Sequence, residues 1–150
     1  MSDIKEDEWV KDKLQDVLNR ISLQEKRITP QRVLLTKLIL SKVKEHASLK
    51  DLFDAAQQEL PRVGISTVYN TIKMLEGMEI IDTFIVGDKL RIDQPTPHIN
   101  VFCLDSERIF DVDGDVASFV MDALKSKGLH VKKIVVEANC SASEAGTAGR

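Results

Sequence analysis

Cysteine, histidine and the large aromatics are scarce in this 150-residue chain, which has two cysteines, three histidines, one tryptophan and one tyrosine. Cys103 and Cys140 are too few for a secreted disulfide framework and, alone, too few for a closed four-cysteine zinc site. No apolar run approaches the roughly 20 residues that a membrane span requires. The start, Met-Ser-Asp-Ile-Lys-Glu-Asp-Glu, is too charged for a signal peptide. A cytoplasmic protein without a membrane partner is expected, built as one domain or as two small ones that each bury a core.

Positive charge is also in deficit overall, with a net charge of −3, yet it is unevenly spread. Residues 1–25 carry 4 bases and 7 acids, residues 26–91 carry 11 and 8, and residues 92–150 carry 6 and 9. The middle is locally basic, and a local surplus is what phosphate contact requires, because counterion release depends on charges at the interface.

The pattern of the chain is α+β. Trp9, Leu14, Val17, Leu18 and Ile21 recur at helical spacing and predict a first amphipathic helix over residues 7–22. Thr29 and Pro30 read as the N-cap and first position of a second helix, running through Val33, Leu34, Leu38 and Ile39. Ser48 caps a third, with Leu49, Leu52, Phe53 and Ala56, which Pro61 stops. Ser66 is expected to cap a fourth, with Val68, Ile72 and Leu75 on one face and Gly77 at its end. Residues 80–86 and 89–93 then read as strands around Gly87-Asp88, so the first 93 residues predict a winged helix-turn-helix. Gln94-Pro95-Thr96-Pro97 is a stiff hinge. Beyond it a smaller unit is expected over residues 98–140, with strands at 98–104, 109–112 and 131–138 and a helix at 116–127. Residues 141–150 lack apolar anchors and read as a disordered tail.

Major-groove reading needs a helix with hydrogen-bonding groups on its outer face and apolar groups fixing the inner one. The fourth helix meets that description. Tyr69 suits a base edge or thymine methyl, Thr67 and Asn70 suit bases or phosphate, and Lys73 suits phosphate. Arg27 and Arg32 flank the second helix, and Lys89 and Arg91 fall on the wing. A winged helix can equally bind protein, and the fold alone does not separate the two.

At these residues the chain resembles the ferric uptake regulator superfamily. Arg27-Ile-Thr-Pro-Gln-Arg32 is similar to the entry to its second helix, Ile65-Ser-Thr-Val-Tyr69-Asn to its recognition helix, and His98-Ile-Asn-Val-Phe-Cys103-Leu-Asp-Ser106 to its histidine-rich, cysteine-paired segment. The resemblance covers about residues 20–140. It implies a homodimer with an N-terminal winged-helix DNA-binding domain (1–93), a C-terminal α/β dimerisation domain (98–140), and metal-controlled binding to a palindromic operator in double-stranded DNA.

Within the superfamily the chain is most similar to the peroxide-stress repressors. Position by position, the regulatory metal ligands correspond to His46, Asp93, His98, Asn100 and Asp111. Asn100 departs from the family's histidine, whereas aspartate at 111, where iron sensors have glutamate, favours peroxide sensing. Imidazole and oxygen donors together suit Fe²⁺ or Mn²⁺, and period-two alternation puts His98 and Asn100 on one strand face. The resemblance implies iron-catalysed oxidation of His46 or His98 as the signal, while His130 lies outside the motif.

The family's two Cys-x-x-Cys pairs correspond here to Cys103-Leu-Asp-Ser106 and Cys140-Ser-Ala-Ser143, so one thiol of each pair remains and structural zinc is not expected. Family geometry brings Cys103 and Cys140 close as a candidate thiol pair. In a reducing cytosol they are expected as two buried thiols, with a disulfide the sharper alternative. The reading that results is a metal-dependent repressor that is not an enzyme. Its rivals are an iron- or manganese-availability sensor without a peroxide response, and a protein-interaction module with a vestigial metal site.

Overall fold

A computed structural model of the chain describes residues 2–24, 27–112 and 114–140, with side chains from residue 8 onward. It divides between Pro95 and Thr96 into two compact units. The stretch read as a tail, residues 141–150 and with it Ser143, lies outside the described residues.

The first unit contains α1 (Ser2–Leu23), α2 (Pro30–Ser41), α3 (Leu49–Glu59), α4 (Ile65–Gly77) and the strands β1 (Asp82–Val86) and β2 (Lys89–Asp93). Helix α1 begins earlier than its apolar stripe indicates, and it buries Val10, Val17 and Ile21. Arg20 ties it down, donating to the Met78 carbonyl at 2.7 Å while pairing with Asp16. Helix α2 starts as expected, with the Thr29 hydroxyl accepting from the Arg32 amide. Its buried face, however, is Leu35, Thr36, Ile39 and Leu40 rather than the Val33, Leu34, Leu38 stripe. The reason is its setting between α1 and α4: apolar residues on several sides leave the sequence period ambiguous.

Helix α3 opens with a capping box in which Ser48 and Asp51 satisfy each other's backbone N–H groups. The Asp51 carboxyl is held below its ordinary range. Burial opposes ionisation, but the two Ser48 hydrogen bonds and the nearby charges of Arg91 and Lys89 outweigh it.

Helix α4 corrects one expectation: its cap is Gly64, in extended conformation, and Ser66 lies one residue inside the helix. The Gly64 carbonyl takes the Thr67 and Val68 amides, so no side-chain cap is used. After α4, Glu79 adopts φ 60° and reverses the chain, so Ile80 and Ile81 are buried without joining β1. Strands β1 and β2 pair antiparallel from Asp82↔Asp93 to Val86↔Lys89. Gly87 and Asp88, at φ 60° and 61°, make the double left-handed turn that a two-residue hairpin demands. The free edge of β2 is covered by the segment before α3, through the Ser48↔Arg91 bridge and Ile92 N–H to the Ala47 carbonyl at 3.0 Å.

The second unit contains β3 (Ile99–Cys103), β4 (Ile109–Val112), α5 (Gly114–Ser126) and β5 (Ile134–Ala138), with sheet order β4-β3-β5. Strand β3 is antiparallel to β4 and parallel to β5, with α5 supplying the crossover that a parallel neighbour needs. Its packed cluster is small among the described residues: Ile99, Val101 and Ala117 are buried, with Phe110, Val112, Val120, Ile134 and Ala138 against them, and Phe102 and Cys103 of β3 are buried as well.

Candidate metal centre and nucleic-acid interface

In the first unit the turn after α2 carries His46 in the left-handed region, at φ 51°. Its amide donates to the Val43 carbonyl at 3.1 Å, its carbonyl accepts from Arg91 Nη1 at 3.1 Å, and its ring meets Phe84 edge-on at 5.8 Å. Its Nε2 lies 3.4 Å from Oδ1 of Asp93, the last residue of β2, and both side chains are buried. Asp93 Oδ1 also accepts the Gln94 amide at 2.8 Å, which fixes the carboxylate's orientation.

In the second unit His98 precedes β3. Its Nδ1 lies 2.7 Å from the Thr96 carbonyl, and since a carbonyl can only accept, Nδ1 carries the proton. The other nitrogen, Nε2, lies 3.0 Å from Asn100 Oδ1 and 3.7 Å from Asp111 Oδ1. Asn100 and Asp111 are register partners on β3 and β4, so the strand pairing itself brings amide and carboxylate to the imidazole. This is a convergence of acceptors. With Nδ1 protonated, Nε2 of a neutral ring offers a lone pair towards Asn100 and Asp111, which a cation, a proton or an Asn100 amide turned to donate its Nδ2–H can each satisfy. The donor set, one imidazole with an amide and a carboxylate oxygen, fits a divalent ion of the Fe²⁺ or Mn²⁺ class. The Thr96 carbonyl orients the ring in the way that outer partners orient metal-binding histidines generally. Sequence reasoning missed it, because a backbone carbonyl leaves no trace in residue type.

Cys103 and Cys140 are joined as a disulfide, with Cα atoms 5.5 Å apart. Cys103 is buried and Cys140 half-buried, so the expectation of two buried thiols does not describe this structure. The physical reason is register: Cys103 pairs with Ala138 across parallel strands, which puts the ends of β3 and β5 side by side. Asp105 contributes as well, accepting the Cys140 amide at 3.2 Å, whereas Ser106 accepts from the Arg108 amide within the β3–β4 turn. His130 is exposed.

The inner face of α4 is Val68, Thr71, Ile72 and Leu75, all buried, and its outer face presents Tyr69, Asn70 and Lys73, with Thr67 half-buried. Lys73 Nζ pairs with Glu76 at 2.8 Å and stands 5.8 Å from the Tyr69 ring centre. The Glu76 hydrogen bond, aided by its charge, raises the Lys73 pKa and keeps it cationic. Arg27 is exposed, and half-buried Arg32 donates to the Arg27 carbonyl at 3.3 Å, ordering the approach to α2. Lys89 is exposed at the wing. Arg91, expected beside it as a wing cation, is half-buried and directed to the His46 turn.

A winged helix followed by a small α/β unit, each bearing imidazole and oxygen donors, defines a metal-responsive transcriptional regulator. The chain belongs to the ferric uptake regulator family, whose model matches residues 24–139. It is 23% identical over 105 residues to the ferric uptake regulation protein of Bacillus subtilis, a match covering 66% of this chain and 70% of that one. It is 26% identical over 106 residues to the peroxide-responsive repressor of Staphylococcus saprophyticus, covering 69% and 71% respectively. In structure it is similar to the Helicobacter pylori ferric uptake regulator, at a TM-score of 0.74 and 16% identity over 88% of this chain and 91% of that one. Among the described residues no helix is long and apolar enough to cross a membrane.

Proposed function

We propose that the chain is a homodimeric, metal-dependent repressor that reads a palindromic operator with paired α4 helices and responds to peroxide. The carrying observation is the His98 constellation, a ring with one nitrogen committed to the Thr96 carbonyl and the other facing the oxygens of Asn100 and Asp111. His46 and Asp93 present a second imidazole–carboxylate pair in the first unit, and only a short linker separates Asp93 from His98. In this reading the five residues His46, Asp93, His98, Asn100 and Asp111 hold one ion, and Cys103 and Cys140 form a covalent link where relatives would place zinc.

When bound, Fe²⁺ supplies one-electron chemistry towards peroxide, and its protein neighbours open to oxidation are the two imidazoles. His98 is aimed by Thr96, and His46 is held by its turn and by Phe84. Losing either imidazole would free the DNA-reading units from a fixed mutual angle, and two α4 helices would no longer meet successive major grooves.

The contact set for DNA is Thr67, Tyr69, Asn70 and Lys73 on α4, Arg27 and Arg32 at its flank, and Lys89 on the wing. Homodimer formation is supported by the small packed cluster of the second unit together with its exposed Val116, Phe119 and Val136. The test is peroxide treatment of the anaerobically Fe²⁺-loaded chain. One added oxygen atom on the His46 or His98 peptide, with loss of operator binding, is the expected outcome. Unmodified peptides with metal-dependent binding retained would leave a metal-availability sensor instead.

A further inference from the structure

Arg91 stands on the wing strand β2, where its charge invites a phosphate contact, but its side chain is used inside the unit. Nη1 donates to the carbonyl of His46 at 3.1 Å. The backbone of the same strand grips the same loop, through the Ser48↔Arg91 bridge and the Ile92 amide on the Ala47 carbonyl. His46 itself has φ 51°, a region that residues other than glycine seldom occupy and that persists only where the surroundings over-determine it.

We propose that Arg91 is a positioning residue for the regulatory metal: it pins the left-handed turn so that the His46 imidazole faces Asp93. The inference rests on the reading of His46 and Asp93 as metal ligands. Strand alternation puts Arg91 and Asp93 on one face of β2, two residues apart, so one holds the backbone of the His46 turn while the other meets its ring. A guanidinium suits this task because its donors are fixed in a plane and it keeps its charge when half-buried. Without it, the turn samples other conformations, and an arriving ion must order His46 at the expense of affinity. The wing strand thereby carries both a metal ligand and the group that presents another.

The test uses the full chain. Anaerobic Mn²⁺ titration compares the native protein with Arg91→Ala, Arg91→Lys, His46→Ala and Thr29→Ala, the last lowering stability at the α2 cap away from the turn. Arg91→Ala is expected to weaken Mn²⁺ binding about 10–100-fold, as loss of an outer-sphere partner does. Arg91→Lys, whose ammonium can donate to the same carbonyl, should recover part of that loss. In the metal-free protein, amide exchange at Ile92 should speed up in Arg91→Ala alone. The salt dependence of binding to a mixed-sequence duplex should be unchanged by Arg91→Ala. Unchanged Mn²⁺ affinity with a salt slope smaller by about one would make Arg91 a phosphate contact and overturn the proposal. An equal loss of affinity in Thr29→Ala would also overturn it, since the effect would then be general destabilisation. If the native chain takes up no Mn²⁺, the metal reading itself fails. If His46→Ala loses binding while Arg91→Ala does not, only the role of Arg91 fails.

Discussion

Asn100 offers the His98 constellation a neutral amide oxygen, a weaker donor than an imidazole nitrogen for first-row divalent ions. Replacing it with alanine removes that donor while His98 and Asp111 stay, so Mn²⁺ affinity should fall roughly tenfold or more. Replacement of His98 by alanine should cost more, because it deletes the nitrogen that Thr96 orients. Anaerobic calorimetric titration measures both, and equal affinities for Asn100→Ala and native protein would remove Asn100 from the ligand set. Asp51 gives a second residue-scale expectation. Its carboxyl is held below the ordinary range in the fold, so its contribution to stability is present above the unfolded pKa of about 3.9 and lost as pH falls through the folded value. Asp51→Asn should therefore be less stable than native protein at pH 6, and the gap in thermal midpoint should close well below pH 4.

At the scale of elements, the caps and turns were largely legible. Thr29-Pro30 and Ser48-x-x-Asp51 start α2 and α3 where their side chains say they should, since capping is a local hydrogen bond. Ser66 misled because glycine in extended conformation caps through its own carbonyl, and Ser66 follows it closely enough to mimic a cap. The α4 helix then divides cleanly into a buried face and an exposed one, and its exposed face should separate by role. Lys73→Ala should weaken binding to all duplexes alike and reduce the salt slope by about one. Tyr69→Ala should instead narrow the difference between operator and mixed-sequence DNA, on the order of 1–3 kcal/mol if it meets a base. Binding isotherms at several salt concentrations distinguish these outcomes. A uniform loss in Tyr69→Ala would make it a backbone contact.

For the molecule as a whole, the second unit is small, and among its described residues the packed cluster around Ile99, Val101 and Ala117 is small too, so its packing contributes little stability. Two devices offset this. The disulfide closes a sequence separation of 37 residues, for which chain-entropy arguments give up to about 4 kcal/mol. Reductant should lower the thermal midpoint of native protein and leave Cys103→Ser unaffected, and a midpoint insensitive to reductant would deny the bond a structural role. In the proposed homodimer the other device is a second copy of the chain. Phe119 and Val116, 75% and 60% exposed, lie on α5 facing outward, and Phe119→Asp should convert the dimer to monomer in sedimentation equilibrium.

The sequence by itself determined the order of elements, the winged helix with its exposed reading face, and the nearness of His98 to Asn100, because periodicity, caps and turn residues act over a few positions. Only the tertiary structure decided where Arg91 goes, which sides of α2 are buried, that Thr96 orients His98, and that Cys103 and Cys140, expected close together, are joined as a disulfide. Each of those depends on a backbone carbonyl, a neighbouring helix or a strand register far away in sequence, and residue types carry no record of such partners.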